Sequence, residues 1–158
     1  MKSRISIIAM SIALISACGG GNDEKVVNDP PTASSEPAKE VVETPTDPME
    51  NKGVGPVKEV SLGELDPALV EQGKELFEAK CTACHKVDKR YIGPAIQGIS
   101  DRRTPEWIMN MILNPEVMIQ KDPIAKELLA EANGAPMANQ NLTEDEARKI
   151  LEYFRTLK

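Results

Sequence analysis

The motif that most constrains this chain is Cys81-Thr82-Ala83-Cys84-His85, which has the form C-x-x-C-H. Two thiols separated by two residues can form thioethers with the two vinyl groups of one porphyrin, and the histidine that follows then lies beneath the iron. Covalent attachment keeps the haem bound in both oxidation states. The motif therefore predicts one haem c, bound through Cys81 and Cys84, with His85 as an iron ligand.

Other interpretations of the motif fit the rest of the chain less well. A thioredoxin-like C-x-x-C would need a strand before it and a βαβ surround, whereas a helical pattern precedes it here. A zinc ribbon needs a second pair of ligands, and the chain has three cysteines and one histidine. A bis-histidine haem within the chain is excluded by the same count. A chance surface match remains as the alternative.

The N-terminus has the pattern of an export signal. In residues 1–17, Lys2 and Arg4 are followed by an apolar stretch that is too short for a comfortable transmembrane helix. Small residues precede Cys18, as in a bacterial lipobox, so we predict a lipoprotein signal peptide and lipidation of Cys18. The alternative is an ordinary signal peptide with an incidental cysteine. The prediction places the protein on the periplasmic side of a bacterial membrane, and Gly19 is compatible with the outer membrane.

Residues 18–63 have the composition of a disordered tether. They contain nine acidic residues, four basic residues, six prolines and no aromatic residue, so they offer too little apolar surface to form a core. Residues 64–158 carry sixteen acidic and thirteen basic residues, and the whole chain has a net charge of -6. A nucleic-acid partner is therefore not expected, because no basic face is available to neutralise phosphates.

Residues 64–158 are predicted to form an all-α domain of about four helices around the haem, since no stretch alternates like a strand. Each predicted helix starts with a capping residue followed by proline, or with a capping box: Asp66-Pro67, Thr104-Pro105, Asp122-Pro123 and Thr143–Glu146. Asn114-Pro115 is interpreted as the end of the second helix. Aromatic residues make up 3% of the chain, so a large apolar cofactor would supply much of the core.

Over residues 64–158 the chain resembles a class I c-type cytochrome. A helix with Gly73 and Phe77 leads into the haem motif, Gly93-Pro94 follows it, and Gly134–Met137 precedes the last helix. The resemblance implies a small cytochrome c fold in which Ile150 and Tyr153 of the last helix cross the first helix at Gly73. The predicted Asp122–Asn133 helix is extra compared with the smallest family members.

The resemblance also implies the remaining site residues. The Pro94 carbonyl would accept a hydrogen bond from the second nitrogen of His85, and Met137 would be the sixth iron ligand, which raises the reduction potential. A haem propionate would be hydrogen-bonded by Arg102, Arg103 or Trp107, although the two arginines could equally form a solvated pair. The methionines at positions 109, 111 and 118 are assigned to the core instead.

These features predict an electron carrier and not an enzyme. A monomeric domain would pass single electrons between a redox donor and a redox acceptor in a respiratory chain, and the resemblance suggests a periplasmic terminal reductase as one acceptor. The alternative is a haem-based ligand-binding or sensing domain in which the sixth ligand is displaceable. A peroxidase is disfavoured, because such chemistry needs an open distal site with acid–base groups and His85 is already the proximal ligand.

Overall fold

A computed structural model of the chain describes residues 45–158. The predicted signal peptide, Cys18 and the tether up to residue 44 lie outside the described residues. Within them the chain is all-α, as predicted, with five α-helices and a 3₁₀ turn at Ile99–Asp101. The helices are α1 (Pro67–Lys80), α2 (Pro105–Leu113), α3 (Pro115–Lys121), α4 (Pro123–Glu131) and α5 (Glu144–Phe154). No helix in this part of the chain is long and apolar enough to cross a membrane.

The helices begin where the capping residues predict. The carboxylate of Asp66 accepts the Ala68 N–H at 2.8 Å at the start of α1, and Asp122 does the same for Ala125 at 2.8 Å in α4. A capping box formed by Thr143 and Glu146 begins α5. These side chains satisfy backbone N–H groups that a helix start leaves without partners.

Helix α3 was not predicted from the sequence. Asn114-Pro115 ends α2, as expected, but the proline also stands at the first position of α3. Proline is favoured there because its missing N–H would have no helical partner in any case. Met118, in the middle of α3, is wholly buried, so this short helix contributes to the core.

The first helix, α1, and the last helix, α5, cross in close contact. A β-carbon added at Gly73 would lie 1.9 Å from the Lys149 carbonyl oxygen, so the backbones of the two helices touch. The Phe77 ring centroid lies 5.7 Å from that of Tyr153, and Ile150 is wholly buried. The helix crossing that the resemblance implied is thus confirmed.

Residues 51–60, which we call the strap, were assigned to the tether but pack against α2. The side-chain amide of Asn110 accepts the Val57 N–H at 3.0 Å and donates to the Val57 carbonyl at 2.9 Å. Glu106 accepts the Val60 N–H at 3.1 Å, and the side chains of Asn51 and Val57 are buried. The predicted tether boundary at residue 63 is therefore corrected, because the packed region already includes Asn51. The composition of residues 51–60 does not show that they pack, because side chains of α2 form the hydrogen bonds to the backbone of the strap.

Candidate functional site

The helices surround an open apolar cavity with about 1200 Å³ of empty space, which includes the part that is open to solvent. Small molecules and cofactors bind in concave, mostly apolar sites of this kind. Its lining comes from the end of α1, the following loop, α2, α4 and the loop before α5. Six of the predicted site residues lie on it: Cys81, Cys84, His85, Pro94, Trp107 and Met137.

The C-x-x-C-H motif begins at the C-terminal end of α1 and lies on the cavity wall. Cys81 caps the helix, and its carbonyl accepts the N–H groups of Cys84 at 3.0 Å and His85 at 2.9 Å. This turn carries all three side chains to the same cavity. Burial, and secondly the charge of Cys84, raises the pKa of the Cys81 thiol to about 11. Redox-active dithiols have a lowered pKa instead, so this environment disfavours thiol–disulfide exchange.

The imidazole of His85 is oriented by the loop that follows it. Its Nδ1 lies 3.0 Å from the Pro94 carbonyl oxygen, which can only accept, so Nδ1 carries the proton. The lone pair of the neutral ring is then on Nε2, the atom that would bind a metal. A β-carbon on Gly93 would lie 2.3 Å from the imidazole Cε1, so the backbone passes directly against the ring. This is the contact between His85 and Pro94 that the resemblance implied.

Met137 lies on the loop 132–143 between α4 and α5. The backbone enters this loop through left-handed conformations at Asn133 (φ 53°) and Gly134 (φ 78°), where a residue with a β-carbon other than asparagine would be strained. Met137 is half-buried, packs against the core and lines the cavity. Its thioether is a soft ligand suited to haem iron.

Met111 of α2 lines the same cavity, although the sequence analysis assigned it to the core. It also packs against the core, so the assignment is correct but incomplete. A helical methionine gives no signal in the sequence that separates these two roles. Met109 and Met118 are buried core residues, as expected.

The indole of Trp107 lines the cavity, but it is not free to bind a propionate through its N–H. That group donates to the Asp122 carboxylate at 3.1 Å. An indole has a single donor, so the predicted hydrogen bond from Trp107 to a propionate is wrong, and Trp107 contributes to the cavity as part of its wall. In the sequence, Asp122 carries only the signal of a helix cap and none for this site.

The two predicted arginines differ in their surroundings. Neither arginine lines the cavity; Arg102 is exposed and donates to the carbonyls of Gln97 at 2.8 Å and Ala95 at 3.3 Å. The Arg103 guanidinium lies 5.3 Å from the centre of the Trp107 ring. Burial, and secondly the charge of Arg102, lowers the pKa of Arg103. Arg103 donates to the Arg102 carbonyl at 2.6 Å, and its buried Nε finds no acceptor among residues 45–158, so neither predicted contact to a propionate is placed at the cavity wall.

These observations match what a covalently bound haem requires. The apolar walls suit a porphyrin, and two thiols and an imidazole lie together on the wall of the cavity. A neutral thioether reaches the same cavity from a separate loop. The donor set, imidazole and sulfur, is one that haem iron accepts.

Comparisons with known proteins agree with this fit. A family model described as Cytochrome c matches residues 70–158. Cytochrome c-551 of Stutzerimonas stutzeri is 30% identical over 99 residues, which cover 60% of this chain and 85% of that protein. The solved structure of cytochrome c from Rhodothermus marinus is 52% identical with a TM-score of 0.63, covering 65% of this chain and 89% of that chain. An engineered form of the Rhodothermus marinus protein bound to a carbene intermediate is also 52% identical, with a TM-score of 0.61 and the same coverage.

Proposed function

Because the chain belongs to the cytochrome c family and carries haem c on Cys81 and Cys84, we propose that its iron is held between His85 and Met137 and relays single electrons. One observation supports this ligation above all. His85 and Met137 reach the same apolar cavity from two separate loops, one after α1 and the other before α5. The haem supplies the one-electron redox centre, and the chain supplies its ligands, its orientation and its insulation from water.

The protein groups favour fast electron transfer over chemistry on a substrate. The hydrogen bond from His85 to Pro94 fixes the imidazole plane and increases its donor strength. A thioether in the sixth position favours ferrous iron and raises the reduction potential. With His85 and Met137 both bound to the iron, no substrate would reach it, and little rearrangement would accompany each electron transfer.

Electrons would enter and leave where the cavity opens to solvent. The side chains of Tyr91 (59% exposed) and Ile92 (49% exposed) precede Gly93, whose N–H donates to the carbonyl of the exposed Cys84 at 2.9 Å. Both are large and apolar, and Ile92 lines the cavity. Exposed apolar side chains of this kind mark interaction sites, so we propose that the redox donor and acceptor dock here.

The electron-carrier proposal is tested by redox titration and carbon monoxide binding on the haem-loaded chain. We expect a reversible one-electron transition, with rapid oxidation by an outer-sphere acceptor and no rapid binding of carbon monoxide to the reduced protein at neutral pH. Rapid carbon monoxide binding would contradict a fixed sixth ligand.

A second candidate is a haem that binds or senses a small ligand through displacement of Met137. The neighbours Pro136 and Ala138 are exposed, so this loop is covered by little else. The engineered relative from Rhodothermus marinus was solved with a bound carbene intermediate. The carbon monoxide measurement separates the two candidates, because a displaceable ligand predicts fast, saturable binding.

The membrane attachment rests on the sequence alone and remains a proposal. A lipid on Cys18 would hold the protein at a bacterial membrane, and the following tether would let the domain reach redox partners of a respiratory chain, including a periplasmic terminal reductase. We expect Cys18→Ser to move the haem-containing protein from the membrane fraction to the soluble periplasmic fraction. Unchanged membrane association of a Cys18→Ser protein from which the signal peptide has been removed would refute the lipid anchor without affecting the haem site.

A further inference from the structure

A buried carboxylate lies beside the haem cavity and is not explained by electron transfer as described so far. Asp122 is wholly buried, and within residues 45–158 it forms no ion pair with a basic side chain. Its Oδ1 accepts from the Trp107 indole N–H at 3.1 Å and from the Ala125 N–H at 2.8 Å, while Oδ2 accepts from Asn51 at 2.7 Å. Burying a carboxylate is costly, and these three donors offset that cost.

Asn51 ties the strap to this carboxylate. Its side chain donates to Asp122 through Nδ2 and accepts the Gly53 N–H through Oδ1 at 2.6 Å. Its backbone carbonyl accepts the hydroxyl hydrogen of Thr104 at 2.5 Å. Thr104 and Asp122 cap the N-termini of α2 and α4, so one strap residue joins the starts of two helices that line the cavity.

The Trp107 indole is thus held by a hydrogen bond along its N–H and by the Arg103 guanidinium 5.3 Å from its ring centre. The N–H bond fixes the rotation of the ring in its own plane, and the ring is part of the cavity wall. We infer that Asp122 is a positioning residue that sets Trp107 against the haem, and that the strap completes this device through Asn51. The inference rests on the function proposed above, a haem iron held by His85 and Met137.

The pair Asn51 and Asp122 permits a test by exchange of donor and acceptor. Asp122→Asn places a new amide N–H₂ against the N–H₂ of Asn51, so two donors face each other. In the double variant Asn51→Asp/Asp122→Asn, the new carboxylate accepts from the Gly53 N–H and from the new amide, and every hydrogen bond is restored. The net charge of the double variant equals that of the native chain. Glu127→Gln, an exposed position of the same helix, is the control for loss of one negative charge.

Three properties of the haem-loaded variants are compared: the unfolding equilibrium, the reduction potential and the hydrogen exchange of the indole N–H in the ferrous form. Trp107 is the single tryptophan, so its indole signal is unambiguous. For Asp122→Asn we expect a tenfold or larger rise in the unfolding equilibrium constant, about 1.4 kcal/mol. We also expect faster indole exchange and a potential shift larger than that of Glu127→Gln. The double variant should regain the native values of all three.

An unchanged potential or unchanged indole exchange in haem-loaded Asp122→Asn would overturn the inference, as would a double variant that fails to recover them. If Asp122→Asn does not fold, the double variant alone decides, because its hydrogen bonds are complete. Failure of the proposed function is recognised separately, since native protein would then lack covalent haem or the optical band of a sulfur-ligated ferric iron.

Discussion

The close crossing of α1 and α5 makes Gly73→Ala a quantitative test of the fold. The added β-carbon would lie 1.9 Å from the Lys149 carbonyl oxygen, 2.5 Å from its carbonyl carbon and 3.0 Å from the Ile150 nitrogen. The shortest of these distances is about 1.6–2.1 Å less than ordinary van der Waals contact. All three atoms belong to the backbone, so no side-chain rotation can relieve the clash and the two helices must separate.

The magnitude follows from two opposing effects. In an exposed helix, replacing glycine by alanine stabilises by about 1 kcal/mol. Overpacking a close contact costs about 1–3 kcal/mol, and a clash between two backbones lies at the upper end or beyond. We therefore expect Gly73→Ala to lower the free energy of unfolding by about 2 kcal/mol, which corresponds to a fall in Tm of about 10 °C for a domain of this size.

The assay is guanidinium unfolding of the haem-loaded protein, followed by far-ultraviolet circular dichroism. The midpoint should fall while the slope m stays unchanged, because the surface exposed on unfolding is the same. Gly63→Ala is the matched control, since a β-carbon there meets nothing within 4 Å. A midpoint for Gly73→Ala equal to that of the control would refute the close crossing.

Three further substitutions test the site, the strap and the last helix. Gly93→Ala would place a β-carbon 2.3 Å from the His85 Cε1, so we expect a displaced imidazole and an altered reduction potential and optical spectrum. Asn110→Ala removes the side-chain amide that binds the strap backbone, and we expect a loss of about 2–4 kcal/mol in urea unfolding together with faster proteolysis in the strap. The hydrogen bond from the backbone N–H of Thr143 is the main cause of the lowered pKa of Glu146. The ionised carboxylate therefore stabilises the fold above its ordinary pKa of 4.5. This contribution is lost as the pH falls through the lower pKa of the folded state. Glu146→Gln should therefore make the urea midpoint fall less steeply below about pH 4.5 than in the native chain.

Much of the fold was predictable because its signals are local. A capping residue followed by proline marks the start of a helix through interactions within one turn, and Asp66, Thr104 and Asp122 all cap helices as predicted. Pro115 gave an ambiguous signal, since proline both stops one helix and starts the next. The strap could not be predicted from composition, because the Asn110 amide that binds it is fifty-three residues from Val57.

The site was predictable in its covalent part and less so in its surroundings. The C-x-x-C-H spacing is itself the chemical requirement for haem attachment, so Cys81, Cys84 and His85 needed no tertiary information. Tertiary information was needed to identify the hydrogen-bond partner of the Trp107 indole. Asp122 is fifteen residues away in sequence, and its sequence signal is that of a helix cap. The position of Met111 on the cavity wall also depends on tertiary structure, so the sequence did not predict it.

The ligation of the iron is tested most directly by the sulfur–iron charge-transfer band of the oxidised protein in two methionine variants. Met137 and Met111 both line the cavity, so Met111→Ala is the matched control for Met137→Ala. We predict that the band is present in the native chain and in Met111→Ala and is lost in Met137→Ala. A band that persists in Met137→Ala would show that another residue binds the iron and would contradict the account.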